Sequence, residues 1–229
     1  MSTISAARTG FFITFEGPDG SGKSTQARML AERLRRAGYA VLESVEPGGT
    51  RIGQQIRRIL LDPEYSELRP TAELLLMFAA RAQNVEESIL PALDRGEIVV
   101  SDRFTDSSIA YQGAGRGLGR DTVLAVDRIA CRGLKPDLTL CIDIDTETGL
   151  ARARSRNRSE TAKSESRLDE QAVEFHQKAR DAYHELARRE PERFRLIDGS
   201  GAPDAVAEKV WNEVTKLVAG RISPPSSGR

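Results

Sequence analysis

Residues 17–25 read GPDGSGKST, with three glycines in nine positions and a lysine directly before two hydroxyl side chains. Glycines at this spacing let backbone N–H groups turn inward around phosphate oxygens, and a following helix adds its N-terminal dipole. In such a loop Lys23 reaches the β- and γ-phosphates and the Ser24 hydroxyl ligates Mg²⁺. Gly17, Pro18, Asp19, Gly20, Ser21, Gly22, Lys23, Ser24 and Thr25 are therefore the candidate ATP-binding residues. The pattern by itself leaves a switch, a motor and a kinase all open.

Further chemistry is expected downstream. In SDRFTDSS, Asp102 stands at the end of an apolar run and suits Mg²⁺ held through water, with a surface salt bridge as its bland alternative. Arg103 beside it can grip a phosphate through two parallel hydrogen bonds. Asp143 in CIDID has the same placement, but reads better as a helix N-terminal residue than as a second metal acid. EPGGTRIG makes a tight turn, followed by Arg51 and Arg57 within reach of another anion. Phe78 and Arg81 lie three apart on one helix face, an arrangement suited to a stacked and hydrogen-bonded base. AYQGAGRGLGR, with Tyr111, Gln112 and four glycines, reads as a polar flexible loop able to wrap a small molecule. His176 and His184 read as ordinary surface or core histidines, and Trp211 as packing.

These residues need a frame. Five apolar runs read as strands: Phe11–Phe15, Ala40–Ser44, Glu97–Ser101, Leu138–Ile142 and Phe194–Ile197. Helical patterns cover Gly22–Ala37, Arg51–Leu60, Thr71–Arg95, Asp121–Cys131, Thr146–Arg156, Asp169–Arg189 and Pro203–Val218. Strands alternating with helices imply a parallel sheet covered on both faces, an α/β fold. The phosphate-binding glycines then sit at a strand-to-helix turn. No repeat or linker interrupts the chain, so 1–229 reads as a single domain, with 1–9 and 222–229 disordered by composition. Residues 152–167, RARSRNRSETAKSESR, carry five arginines and a lysine. Such a segment buries little and is either a solvated loop or a cover for something anionic.

Bulk composition excludes several classes. The 229-residue chain balances 34 Lys and Arg against 34 Asp and Glu, which argues against a nucleic-acid or membrane-surface binder. Cys131 and Cys141 lack metal-ligand spacing and read as buried free thiols of a reducing compartment. With no apolar run at the N-terminus and none of membrane-spanning length, the expectation is a cytoplasmic protein.

FEGPDGSGKSTQ, EPGGT, DRF, AYQGAGRG, KPDLTLCIDI and RLDEQ, with Phe175 and Tyr183 beyond, occur together and in this order. The chain thus resembles bacterial thymidylate kinases over about residues 11–218. The resemblance implies transfer of the ATP γ-phosphoryl group to dTMP, giving dTDP and ADP for dTTP biosynthesis. It also implies a five-stranded parallel sheet and a homodimer. The long helix over Thr71–Arg95, with LLLMFAA on it, is the expected interface, with core packing as the alternative. For the acceptor it implies that Asp19 meets the sugar 3′-hydroxyl and that Arg103 and Arg57 bind the phosphate. Arg81 would bind thymine with Phe78 stacked on it and Ser108 alongside, Tyr111 would crowd the 2′ position, and Gln112 would touch the nucleotide. Glu46 and Pro47 would shape the pocket, with a cis bond before Pro47. Lys23, Ser24 and Asp102 would serve ATP and Mg²⁺.

Two departures stand out. Some relatives carry an arginine after the loop aspartate, where this chain has Gly20. The transferred phosphate is then expected to meet an arginine of a lid at 152–167, from Arg152, Arg154, Arg156 and Arg158. The stacking aromatic commonly lies four residues before the base-binding arginine, where this chain has Met77. The rival reaction, phosphorylation of a nucleoside hydroxyl, would need Glu46 as a base and would leave Arg57 and Arg103 without an anion. A guanine-reading N-K-x-D is absent, which argues against a switch GTPase.

Overall fold

The computed structural model describes residues 9–156 and 166–218. The expected tails lie outside the described residues except for Thr9, as does most of the 152–167 segment, including Arg158. Five strands, β1 (Phe11–Glu16), β2 (Val41–Val45), β3 (Ile98–Asp102), β4 (Leu138–Asp143) and β5 (Phe194–Asp198), form one parallel sheet in the order β2-β3-β1-β4-β5. β1 is central and every one of its residues is buried, which is why FFITFE is apolar almost without interruption. After β1 the chain runs to one side of the sheet, and after β3 it crosses to the other. The carboxyl ends of β1 and β3 therefore flank a crevice where ligands bind in open α/β sheets.

Alternate residues of β1 feed two cores. Phe11, Ile13 and Phe15 pack with Leu30 and Leu34 of α1 (Lys23–Arg36) and with Val206, Val210 and Val214 near the C-terminus. Phe12 packs on the other face with Phe78, Phe104, Tyr111 and Tyr183. The remaining helices are α2 (Arg51–Leu61), α3 (Pro70–Asn84), α4 (Leu90–Asp94), α5 (Thr105–Ser108), α6 (Arg120–Ala130), α7 (Thr146–Arg156), α8 (Val173–Arg189) and α9 (Pro203–Val218).

Most expected boundaries shift by one residue, and three stretches differ by more. The helix expected over Thr71–Arg95 is α3, a π-helical turn at Val85–Ile89, and α4. Pro91 offers no N–H to the preceding turn, and the wider turn accommodates it. The helix expected from Asp169 begins at Val173. The chain before it is pinned to α2, where Arg167 N–H donates to Leu61 O and Arg167 Nε to Leu60 O. AYQGAGRG is not a flexible loop. Ile109–Gly115 is π-helical, with Ile109, Ala110 and Tyr111 in the core. A Cβ on Gly115 would lie 2.6 Å from the Phe175 ring, so this glycine lets α8 approach.

Candidate active site

The phosphate loop owes its shape to glycine. Gly17, Gly20 and Gly22 have φ of 135°, 73° and 92°, a region that L side chains enter at a cost. Space is also short: a Cβ on Gly17 would stand 2.3 Å from Ile142 O, and one on Gly20 2.1 Å from Gly149 O. The turn is thus pressed against β4 and the first turn of α7. An arginine at position 20 has no room, which accounts physically for the departure noted above. Gly20→Ala is expected to lower stability by about 2 kcal/mol or more, since strained backbone and a backbone clash combine. A thermal midpoint unchanged by the substitution would contradict this.

No side chain caps the N-terminus of α1, so its first N–H groups face the loop. Ser24 and Thr25 are exposed there. Lys23 is folded back, its Nζ donating to Pro18 O at 3.1 Å and lying 3.7 Å from Asp19.

Across the crevice stands Arg103, in the left-handed region at φ 74°. Its N–H donates to Phe15 O at 2.9 Å, and its carbonyl accepts from Ser101 Oγ at 2.8 Å. Its guanidinium donates to Asp19 Oδ1 at 2.5 Å, Ser107 Oγ at 2.9 Å, Tyr111 Oη at 3.3 Å and Tyr183 Oη at 3.4 Å. Tyr111 donates its hydroxyl to Asp19 Oδ2 at 2.8 Å and lies under the guanidinium. Burial works to raise the Asp19 pKa, but Arg103 and then Lys23 outweigh it, and the carboxyl is held well below its ordinary value. Asp19 is thus an ionised acceptor joining the phosphate loop to Arg103.

Two buried polar atoms here lack hydrogen-bond partners, Ser21 Oγ and Asp102 Oδ1. A buried oxygen of this kind costs stability unless a ligand satisfies it. Asp102 lies at the carboxyl end of β3, beside β1. Among the described residues no group of three or more His, Cys, Asp or Glu could hold a metal. The unpartnered Asp102 oxygen fits Mg²⁺, which takes one or two protein oxygens together with substrate phosphates and water.

On the other side of Phe104 the base-side residues form a closed network. Arg81 is 2% exposed. It donates to Glu46 Oε2 at 2.5 Å, Ser108 Oγ at 3.1 Å and Phe104 O at 3.0 Å, and its guanidinium covers the Phe78 ring at 4.5 Å. Glu46 also accepts from Asn84 Nδ2 at 3.0 Å, so both its oxygens are engaged. Held by Arg81 and Asn84, Glu46 is a wall of this network, which gives no support to a nucleoside kinase. The Glu46–Pro47 bond is cis. Arg57 donates to Pro47 O at 2.7 Å, whereas Arg51 is exposed. Gln112 Nε2 donates to the buried Glu73 at 2.9 Å. Arg116 and Arg167 grip the same carboxylate.

The thymidylate kinase family model matches residues 15–210. A thymidylate kinase of Pelobacter propionicus is 49% identical over 217 residues, covering 95% of this chain and 98% of its own. One from Thermomicrobium roseum is 49% identical over 215 residues, covering 93% and 99%. This chain belongs to the thymidylate kinase family. The crystal structure of thymidylate kinase from Ehrlichia chaffeensis superposes with a TM-score of 0.73 at 31% identity, covering 90% of this chain and 98% of the other.

Against the thymidylate kinase expectations, the fold brings Lys23, Asp19, Asp102, Arg103 and Tyr111 to one crevice, and Glu46, Pro47, Phe78, Arg81 and Ser108 beside it. Arg152 and Arg154 are exposed on α7, while the Arg156 side chain and Arg158 are outside the described residues. Asp143 is structural, but not as a helix cap. It holds Arg180 through two bonds of 2.8 and 2.9 Å, and Asp145 accepts from Thr148 N instead.

Four residues escaped the sequence reading: Glu16, Ser107, Tyr183 as a ligand of Arg103, and His176. His176 is 3% exposed, lies 3.9 Å from Asp19 and has no partner at Nε2. Burial first, then Arg154 and Arg103, lower its pKa against the pull of Asp19 and Asp169. Helical spacing hid this contact, because one buried histidine on a helix carries no mark of what it faces.

Proposed function

We propose that the chain moves the γ-phosphoryl group of ATP onto dTMP, giving dTDP and ADP, with the residues of this crevice in the following roles. As a member of the thymidylate kinase family it is an ATP-dependent nucleoside monophosphate kinase. The observation that supports the roles best is Arg103, fixed between the phosphate loop and Tyr111 with its guanidinium turned to Asp19.

The phosphate loop holds the ATP phosphates through its N–H groups, with Lys23 leaving Pro18 O to meet them. Arg103 and Arg57 bind the dTMP phosphate. Asp19 receives the 3′-hydroxyl, and Tyr111 fills the space a 2′-hydroxyl would need. Arg81 meets thymine over Phe78, with Ser108 and Gln112 at its edge and Glu46 and Pro47 as walls. The acceptor oxygen is already anionic at neutral pH, so no general base is needed. Catalysis is alignment plus neutralisation of charge. Ser24 and Asp102 would hold Mg²⁺, which when bound neutralises charge on the phosphate oxygens. One or more of Arg152, Arg154, Arg156 and Arg158 would neutralise charge on the transferred phosphate.

Further proposals concern the setting. All described strands share one sheet, which supports a single kinase domain. Cys131 and Cys141 are free and buried, which supports a reducing, cytoplasmic setting; no described helix is long and apolar enough to cross a membrane. Ile52 and Ile59 on α2 and Leu75 on α3 are exposed, Leu75 at 54%. These helices pack together and supply the face through which two copies pair. A sedimentation mass of one copy would exclude this dimer.

ADP release with ATP and Mg²⁺ tests the acceptor assignment. Turnover is expected for dTMP well above dUMP, UMP, GMP and AMP, and none for thymidine. Turnover of thymidine without dTMP would overturn the site.

A further inference from the structure

We propose that Glu16 is a positioning residue for phosphoryl transfer: its buried carboxylate fixes the left-handed turn at Arg103 and aims the guanidinium at the acceptor phosphate. This rests on the reading of Arg103 as a dTMP-phosphate ligand.

Glu16 is the last residue of β1 and is fully buried. Its Oε1 accepts from Phe104 N at 2.8 Å, which secures the backbone directly after the strained Arg103. Its Oε2 accepts from Tyr183 Oη at 3.0 Å and from Ser107 Oγ. Ser107 Oγ and Tyr183 Oη are two of the four groups to which the Arg103 guanidinium donates. One carboxylate thus braces Arg103 at the backbone and through both hydroxyls on one edge of the guanidinium, while Asp19 and Tyr111 hold the other. The three donors occupy Glu16, so it acts through Arg103 and not on substrate.

Burying a carboxylate without a direct salt bridge is costly. A neutral side chain would pack there more cheaply, so stability alone does not account for this residue. Burial first, then Asp106, push its pKa from 4.5 to about 7, with Arg103, Ser107 and Phe104 N pulling the other way. The groups facing it are Arg103 after β3, Asp106 and Ser107 on α5, Tyr183 on α8 and Cys141 on β4. Asp106 is held by Arg193 in a paired contact of 2.7 and 2.8 Å. Cys141 and Tyr183 have raised pKa values and stay protonated. Glu16 therefore changes charge near neutral pH, where Cys141 and Tyr183 stay protonated. Protonated, it loses an acceptor that Phe104, Ser107 and Tyr183 share, and Arg103 loosens.

The test is kcat/KM for dTMP from about pH 5.5 to 9 for wild type, E16Q, Y183F and R103A. That parameter reports ionisations of the free enzyme and substrate. Wild type is expected to lose activity toward acid in two ionisations, one near 7 from Glu16 and one near about 6 from the substrate phosphate. E16Q should keep only the lower one and fall about 10- to 100-fold at alkaline pH through KM for dTMP, with KM for ATP within about twofold. Its thermal midpoint at that pH should not fall, because the folded pKa lies above 4.5 and the ionised wild type loses stability as pH rises toward 7. Y183F keeps the charge and should fall about tenfold with both ionisations intact. An E16Q enzyme within about threefold of wild type, or one keeping the upper ionisation, overturns the proposal. If E16Q does not fold, an unchanged Y183F does so. R103A separates the two readings. If its KM for dTMP is unchanged, the Arg103 assignment fails; if it rises while E16Q is normal, only the Glu16 proposal fails.

Discussion

Arg103→Ala is expected to raise KM for dTMP by about 100-fold or more while KM for ATP stays within about threefold. Removing one partner of a charge-assisted, partly buried contact costs roughly 2–5 kcal/mol, and each 1.4 kcal/mol is tenfold in affinity. Among the described residues, Lys23 is folded onto Pro18 O and Arg57 donates to Pro47 O, so neither is placed to stand in for the guanidinium. The backbone should survive. Alanine keeps the Cβ, so the left-handed conformation at φ 74° is no worse than before, and the bonds from Arg103 N–H to Phe15 O and from Phe104 N–H to Glu16 remain. Asp19 keeps Lys23 and Tyr111 as partners. Arg103→Lys separates charge from shape. A lysine restores the charge but not the fork that reaches Asp19, Ser107 and Tyr111 together, so recovery should be partial. Initial rates against dTMP at saturating ATP read the effect. An Arg103→Ala enzyme with wild-type KM for dTMP would refute the assignment.

Lys23→Ala is the second large effect, and it appears in kcat. A donor aimed at developing charge is worth about 10²–10³ in rate, and the proposed contact of Lys23 with the ATP phosphates would add to this. A loss of about 10³ is expected, with ATP affinity falling less. The fold should tolerate the change. Lys23 heads α1, and its ammonium donates to Pro18 O at 3.1 Å and lies 3.7 Å from Asp19. Asp19 retains Arg103 and Tyr111. Circular dichroism should be unchanged and the thermal midpoint close to wild type. More than about a tenth of wild-type kcat would show that the lysine is not the principal neutralising charge.

How far the sequence carried depends on whether a feature is local. The phosphate loop was legible because glycine spacing, the strand before it and the helix after it all lie within consecutive residues. Arg81 and Phe78 were legible as neighbours because helical spacing brings them together. The stretch around Tyr111 was misread. Its glycines look like loop residues in sequence, but packing against α8 makes them a close helical contact. Asp143 was read as a cap because its partner Arg180 lies 37 residues on.

By itself, the sequence determined the parallel α/β class, the phosphate loop, and the order of motifs that marks the thymidylate kinase family. Each of these is written in short-range spacing, where the geometry of one strand, turn or helix suffices. Only the tertiary structure decided that Glu16, Ser107 and Tyr183 brace Arg103, and that His176 stands beside Asp19. Glu16 is separated from its partners by 88 to 167 residues. Contacts at that range arise from strand order and helix packing. No local pattern encodes them, because the physical cause that joins them is the sheet itself.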